Sequence, residues 1–334
     1  MLECTLIGMP RTAVLNSQIG FYFVAAMALL PLMGCNRRSK QIAVLTPTTG
    51  VVIWDGVHTG AVLQARQCSV SVRYNGPTRD DDLRTQLSLF ERASKNHYGA
   101  IAIAPIQMEA FRDPVERVST QGTPVVVIGG DLGIRNPNVT YVMTDNRLAG
   151  RIAAQKVAEV LHNKGQIAIM GLDFRQTSNL ERELWFEQEL ANISGKLKVV
   201  QRRNGTANLY QEQQIAEDLL DEEPHIDALV ALTAASTRGA LYAVKARRIK
   251  SGVHIIGFDQ DLLLPIVDRE IDGVVGVRAN DIGRLVGRLV CDRLEGKGWN
   301  SSYTLPPILL TADTLGIADI EQQLHGGGWW LGER

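Results

Sequence analysis

From Gln41 onward, short apolar runs alternate with longer amphipathic stretches. QIAVLT (41–46), AIAIAP (100–105) and TPVVVIGG (123–130) are continuous Val/Ile/Ala runs that predict buried strands. CSVSVRY (68–74) alternates like a half-buried strand, and VTYVMT (139–144) is a further short one. Between them, helical spacing covers 54–66, a polar stretch carrying Leu83, Leu87 and Phe90, 109–121, and a long segment 147–163. The theme then repeats. Strands are predicted at QIAIMGL (166–172), KLKVVQR (196–202), DALVAL (227–232), VHIIGFD (253–259), GVVGV (273–277) and PPILLT (306–311). Helices are predicted at 179–191, 210–221, 236–247, 262–270 and 281–295.

Continuous apolar strands alternating with helices indicate parallel sheets covered on both faces. Two such runs predict an α/β fold of two doubly wound parallel-sheet lobes. In such sheets ligands bind beyond the carboxyl ends of the strands. The candidate loops are therefore 46–54, 105–107, 129–131, 172–177, 204–209, 233–236 and 259–261.

The leading segment has a different pattern. IGFYFVAAMALLPLM (19–33) is an uncharged run of 15 residues. That is shorter than the roughly 18 apolar residues of a membrane-spanning helix. With Arg11 upstream, it has the layout of an export signal. Met9 opens a more ordinary n-region, MPRTAVLNSQ, than Met1 does. The run ends Leu32-Met33-Gly34-Cys35, which resembles a bacterial lipobox, with Cys35 as the lipidated residue. A plain cleaved signal with Cys35 incidental is the alternative. The polar Asn36–Lys40 segment that follows is a tether rather than core.

The 334 residues carry 35 Lys+Arg against 36 Asp+Glu, a balance with no general pull toward nucleic acid. Four cysteines, Cys4, Cys35, Cys68 and Cys291, include no pair at zinc or redox spacing, and a chain this long can bury a core without a disulfide scaffold. Phosphate-binding glycine loops, GxSxG and HExxH are absent, and the six histidines are dispersed. The reading is therefore of a non-enzyme, with no cofactor and no metal.

Five segments in series carry a family resemblance. AIAIAPIQMEAF (100–111), GTPVVVIGGDL (122–132), TDNRLAGRIAA (144–154), IDALVAL (226–232) with GALYAVKA (239–246), and HIIGFDQ (254–260) resemble the type I periplasmic binding proteins. The nearest group is the ribose-type sugar-binding subunits of ABC transporters, whose fold is shared by the ligand domain of LacI-type repressors. The resemblance implies two lobes joined by three crossovers, with ligand in the cleft and closure on binding. It divides the chain into a lipoprotein signal (1–35), a tether (36–40), an N-terminal lobe (41–143 plus 279–305), a C-terminal lobe (144–278 plus 306–318) and a flexible tail (319–334).

The resemblance also implies site residues. Trp54 takes the place of an aromatic that stacks on a sugar face, and Asp259 that of an acceptor for ring hydroxyls. Asp131, Thr233 and Arg278 stand where further polar ligand contacts are expected. Asp145 and Asn146 match a crossover "DN" pair of hinge or second-shell type. Four of them have a simpler reading: Trp54 as a core or rim aromatic, Asp259 as a helix cap, Asp131 as a turn former and Arg278 as a surface or interlobe ion pair. Four family contacts are missing or displaced, at Gly129-Gly130, near Leu180, at Thr233-Ala234 and near Leu209-Tyr210.

The expected function is capture of a small polar solute, a sugar or sugar-like compound, for delivery to an ABC permease. The expected location is periplasmic or cell-surface, with a lipid anchor in the membrane and no nucleic-acid partner. Sensing, with the bound state presented to a membrane receptor or histidine kinase, is the alternative. A LacI-type regulator would need a helix-turn-helix where the export signal stands.

Overall fold

A computed structural model describes residues 40–324 apart from 175, 207, 224, 248–251 and 259. Cys35 and Asp259, both singled out in the sequence, thus lie outside the described residues. Two six-stranded sheets organise the chain. The N-lobe sheet contains β1 (Gln41–Leu45), β2 (Ser71–Asn75), β3 (Ala100–Ile103), β4 (Val125–Ile128), β5 (Val139–Thr144) and β11 (Ser302–Leu305), in the order β11-β5-β4-β3-β1-β2. All its pairings are parallel. The C-lobe sheet contains β6 (Gly165–Leu172), β7 (Leu197–Asn204), β8 (Ala228–Ala231), β9 (His254–Gly257), β10 (Gly273–Gly276) and β12 (Ile308–Leu310), in the order β12-β10-β9-β8-β6-β7.

Every residue of β3 and β4 is buried, because helices cover both sheet faces. In the N-lobe, α1 (Val52–Arg66) and α9 (Ala279–Leu294) cover the face that carries Val44, Ala102 and Val126. The other face, with Leu45, Ile103 and Val127, packs on α2 (Leu83–Lys95) and α3 (Met108–Thr120). In the C-lobe, α4 (Asn146–Val160) and α5 (Thr177–Ile193) pack on Ile167, Ile169 and Val230. The opposite face, with Met170, Leu229 and Val274, packs on α6 (Leu209–Glu222), α7 (Ala234–Ala246) and Ile266 of α8 (Leu263–Val267). The chain passes between the sheets three times: from β5 into α4, from β10 into α9, and from β11 to β12.

Helices α1 and α9 form the tightest helix pair of the N-lobe. A Cβ on Gly60 would stand 2.1 Å from the Asn280 carbonyl oxygen, so only glycine permits this approach. The same pair is joined covalently by a Cys68–Cys291 disulfide, with Cα atoms 6.0 Å apart, inside the usual range. Sequence spacing gives no sign of this bond, whose partners are 223 residues apart.

Three further features differ from the sequence-based expectation. Strand β2 starts at Ser71 rather than Cys68, because Ser69 takes a left-handed conformation (φ 58°) as the chain leaves α1. Strand β12 runs antiparallel to β10, so the C-lobe sheet is mixed. The tail expected to be flexible from residue 319 instead begins with helix α10 (Ala318–Leu324). Its Ile320 and Leu324, one helical turn apart, are buried in the C-lobe core.

Candidate functional site

The carboxyl ends of the strands in each sheet carry the candidate loops. On the N-lobe side, β1 runs into buried Thr46, whose hydroxyl donates to the Thr48 carbonyl at 2.7 Å. Trp54 lies in the first turn of α1, half-buried against the N-lobe core. Beside it, His58 stacks on Tyr74 at the end of β2, with centroids 4.3 Å apart and planes within 8°. Burial pushes the Tyr74 hydroxyl up to about 12 and lowers the His58 pKa, the latter against the opposing pull of Asp55.

At the exit of β4, Gly129 has φ +98°, a left-handed turn that a larger residue resists. The Gly129-Gly130 pair thus turns the chain and offers no side chain to a ligand. Asp131 closes the following turn. It accepts the Gly133 N–H at 2.7 Å and both ends of the Arg135 guanidinium at 3.0 Å.

The C-lobe wall is built around Arg182. Its Nε donates to Asn146 Oδ1 at 2.9 Å and its Nη1 to the Leu232 carbonyl at 2.8 Å. The guanidinium carbon stands 4.5 Å from the centroid of the Phe258 ring. Burial lowers the Arg182 pKa to about 10. This network joins the β5–α4 crossover to the exits of β8 and β9. Asp145 caps α4 by accepting the Leu148 N–H at 2.9 Å. Thr233 caps α7 in a reciprocal box with Ser236.

Neighbouring exits are held by buried polar groups. Asn179 donates to the Gly171 carbonyl at 3.2 Å, and Glu212 accepts the Thr206 N–H at 2.7 Å. Tyr210 is exposed on α6, and Leu180 is half-buried. Arg278 starts α9 and forks onto Asp319 of α10 at 2.7 and 3.1 Å, with Asp281 at 3.3 Å.

Of the residues expected from sequence, Asn146 and Thr233 are thus brought to one wall with Asp145, and Trp54 lies on the other lobe. Asp131 pairs with Arg135 in its own turn, and Arg278 pairs with Asp319 of α10 and with Asp281. Phe258 and Glu212 also stand at these strand exits without being expected there from sequence. Phe258 had a usable signal, an aromatic ending the buried run HIIGF.

The strand ends of the two lobes thus carry Trp54 on one and, on the other, the Phe258 ring with the Asn146 amide, the Thr233 hydroxyl and the Arg182 guanidinium. A separate depression of about 480 Å³ lies at the other end of the C-lobe sheet, among Gln166, Glu223, His225 and Asp227. Among the described residues, no cluster of His, Cys, Asp and Glu could hold a metal ion, and no helix is long and apolar enough to cross a membrane.

The chain resembles proteins of known structure and sequence. It is 28% identical over 230 residues to the ribose import binding protein RbsB of Bacillus subtilis, covering 68% of this chain and 73% of that one. A carbohydrate transporter solute binding protein from Agrobacterium radiobacter, solved with D-arabinose, shares the fold at a TM-score of 0.74 and 22% identity, covering 85% of this chain and 98% of that one. The XylFII-LytSN complex matches with a TM-score of 0.69 and 25% identity, covering 82% of this chain and 98% of that one. The family model of the periplasmic binding protein domain matches residues 42–298. A match of that extent, on two α/β lobes, shows the family: the chain belongs to the periplasmic binding proteins and has their type I fold.

Proposed function

We propose that this protein is a lipid-anchored extracytoplasmic solute-binding protein. It captures a sugar or sugar-like compound between its lobes and delivers it to an ABC importer. The observation that carries this reading is the pair of strand ends: Trp54 on one lobe, and on the other the Phe258 ring against Arg182, which in turn donates to Asn146. Aromatic faces suit sugar C–H surfaces, and neutral amides and hydroxyls suit ring hydroxyls. The ribose import protein of B. subtilis supports the sugar class, and the Cys68–Cys291 disulfide supports an oxidising compartment.

Trp54 and Asp259 are the proposed ligand contacts, and Cys35 the proposed lipidation site. Gly129-Gly130 and Leu180 offer no polar side chain, and the Thr233 hydroxyl is engaged in a cap. A fully hydroxylated pentose would bury unpaired hydroxyls at a cost of about 1–3 kcal/mol each. The preferred ligand is therefore less hydroxylated than ribose or differently decorated. Isothermal titration with D-ribose tests this: weak binding is expected, and sub-micromolar binding refutes the ligand type.

Membrane fractionation of wild type and Cys35→Ala tests the anchor. Wild type should sediment with membranes, and an unmodified mature N-terminus elsewhere by mass spectrometry would contradict it. Sensing is the second reading, favoured by the XylFII-LytSN complex, in which a protein of this fold is held by a second protein. Neighbouring permease and ATPase genes would favour import, and a neighbouring histidine kinase gene would favour sensing.

A further inference from the structure

We propose that Met108 sets the ligand class of the site: its thioether forms an apolar floor at the N-lobe strand exits, which selects a sugar with a deoxy or alkyl-bearing face over its fully hydroxylated counterpart. The proposal deepens the solute-binding reading above and rests on it.

The floor follows from what becomes of the polar groups at the exits of β1, β3 and β4, three adjacent strands of the N-lobe sheet. At β1, the buried Thr46 hydroxyl donates to the Thr48 carbonyl at 2.7 Å. At β3, the fully buried Gln86 of α2 donates to the Ala104 carbonyl at 2.8 Å and accepts the Ile106 N–H at 2.9 Å. One side-chain amide thus takes up two backbone groups of this exit. At β4, the Gly129 N–H donates to the Val142 carbonyl at 2.9 Å, and Asp131 is held by Gly133 and Arg135. Each of these groups finds its partner within the N-lobe.

The side chains left at these exits are apolar. Met108 is the first residue of α3 and is half-buried. Its side chain reaches from the β3 exit to the β4 exit: a Cβ built on Gly130 would stand 2.8 Å from the Met108 Cε and 3.2 Å from its Sδ. The thioether therefore fills the place that a side chain at Gly130 would take. Ile106, and Ile53 and Trp54 in the first turn of α1, are half-buried as well.

A thioether is polarisable and only a weak acceptor, so it suits C–H surface and leaves a hydroxyl laid against it without a strong partner. The C-lobe exits differ, since Arg182, Asn146 and Thr233 supply polar groups there. The two sides together suit a solute with an apolar face toward the N-lobe and its hydroxyls toward the C-lobe. An apolar contact separates a ligand from its analogue with one more hydroxyl by about tenfold to a hundredfold.

Isothermal titration of the purified protein with matched pairs tests this: L-rhamnose against L-mannose, D-fucose against D-galactose, and 2-deoxy-D-ribose against D-ribose. In the wild type, the deoxy member of at least one pair should bind about tenfold or more tighter than its parent. Met108→Gln keeps the side-chain length but offers an amide, and should shift that ratio toward the parent by about tenfold. Gly130→Ser is the second variant. Gly130 is not among the glycines with positive φ, and its added Cβ meets only the flexible end of Met108. It should shift the ratio in the same direction, and it decides the matter should Met108→Gln fail to fold. Parent sugars that bind as tightly as their deoxy partners overturn the proposal and leave solute capture standing, as does a ratio unchanged in a folded variant. Binding of none of these sugars also overturns it, whereas the solute-binding reading falls only if a wider panel of pentoses, hexoses and polyols fails too.

Discussion

Cys68 and Cys291 are bonded across 223 residues of sequence, joining the end of α1 to the C-terminal part of α9. The bond closes most of the chain into a loop and restricts the unfolded state. A cross-link over so long a loop contributes about 5 kcal/mol in the chain-entropy account. Paired Cys68→Ala and Cys291→Ala substitutions should lower the thermal midpoint by several degrees, and reductant should lower that of the wild type alike. Free-thiol titration of the non-reduced protein checks the bond itself; two reactive thiols at these positions would contradict it.

Gly60 is fixed by its neighbour. A methyl group there would meet the Asn280 backbone oxygen at 2.1 Å, and backbone cannot swing aside as a side chain can. Gly60→Ala should therefore destabilise the protein by about 1–3 kcal/mol or more. Gly195, where an added methyl group would meet nothing within 4 Å, is the control, and Gly195→Ala should leave the unfolding midpoint nearly unchanged. Equal denaturation midpoints for the two variants would refute this account of the α1–α9 contact.

Arg182 serves three partners at once: the Asn146 amide oxygen, the Leu232 carbonyl and the Phe258 ring. Only a planar fork reaches all three, so lysine is not a conservative replacement. Arg182→Lys should cost about 1–3 kcal/mol of stability, because buried acceptors lose their donors. Urea unfolding measures this, and a midpoint equal to wild type would show that the network is dispensable.

The central strands of both lobes were legible because runs such as AIAI and VVVI are buried on two faces and stay apolar throughout. Strand β11 was not, since SYTL is a half-exposed edge strand with no apolar run. Helix α10 was hidden for a related reason: its burial rests on Ile320, Gln323 and Leu324 alone, and a glycine-rich stretch follows directly in the sequence. In the site, residue type alone could not separate a ligand contact from a cap or ion pair. Thr233 and Asp131 satisfy nearby backbone N–H groups, and such local bonds use the same oxygens a ligand would. The disulfide and the Val52–Asp261 contact join residues more than 200 positions apart, and no local pattern records them.

Acid should weaken the Arg278–Asp319 pair. Its hydrogen bond to Arg278 holds the Asp319 carboxyl below the ordinary value of 3.8. A carboxyl depressed in the folded state contributes stability above its unfolded pKa, and that contribution is lost as pH falls through the folded value. Asp319→Asn should thus be less stable than wild type at neutral pH, and the two should converge below about pH 4. Denaturant midpoints across that range check it; a constant gap down to about pH 2 would assign the difference to something other than this charge pair.

The most direct measurement of the central claim is a thermal-shift titration of the ligand-free protein against pentoses, hexoses, polyols and autoinducer-like compounds, repeated with Trp54→Ala. The account predicts that one sugar-like class raises the midpoint in proportion to RT ln(1 + [L]/Kd), and that Trp54→Ala weakens that ligand by about 1–3 kcal/mol while remaining folded. No shift with any compound at millimolar concentration, or an undiminished shift in the variant, would contradict solute capture at Trp54 between the lobes.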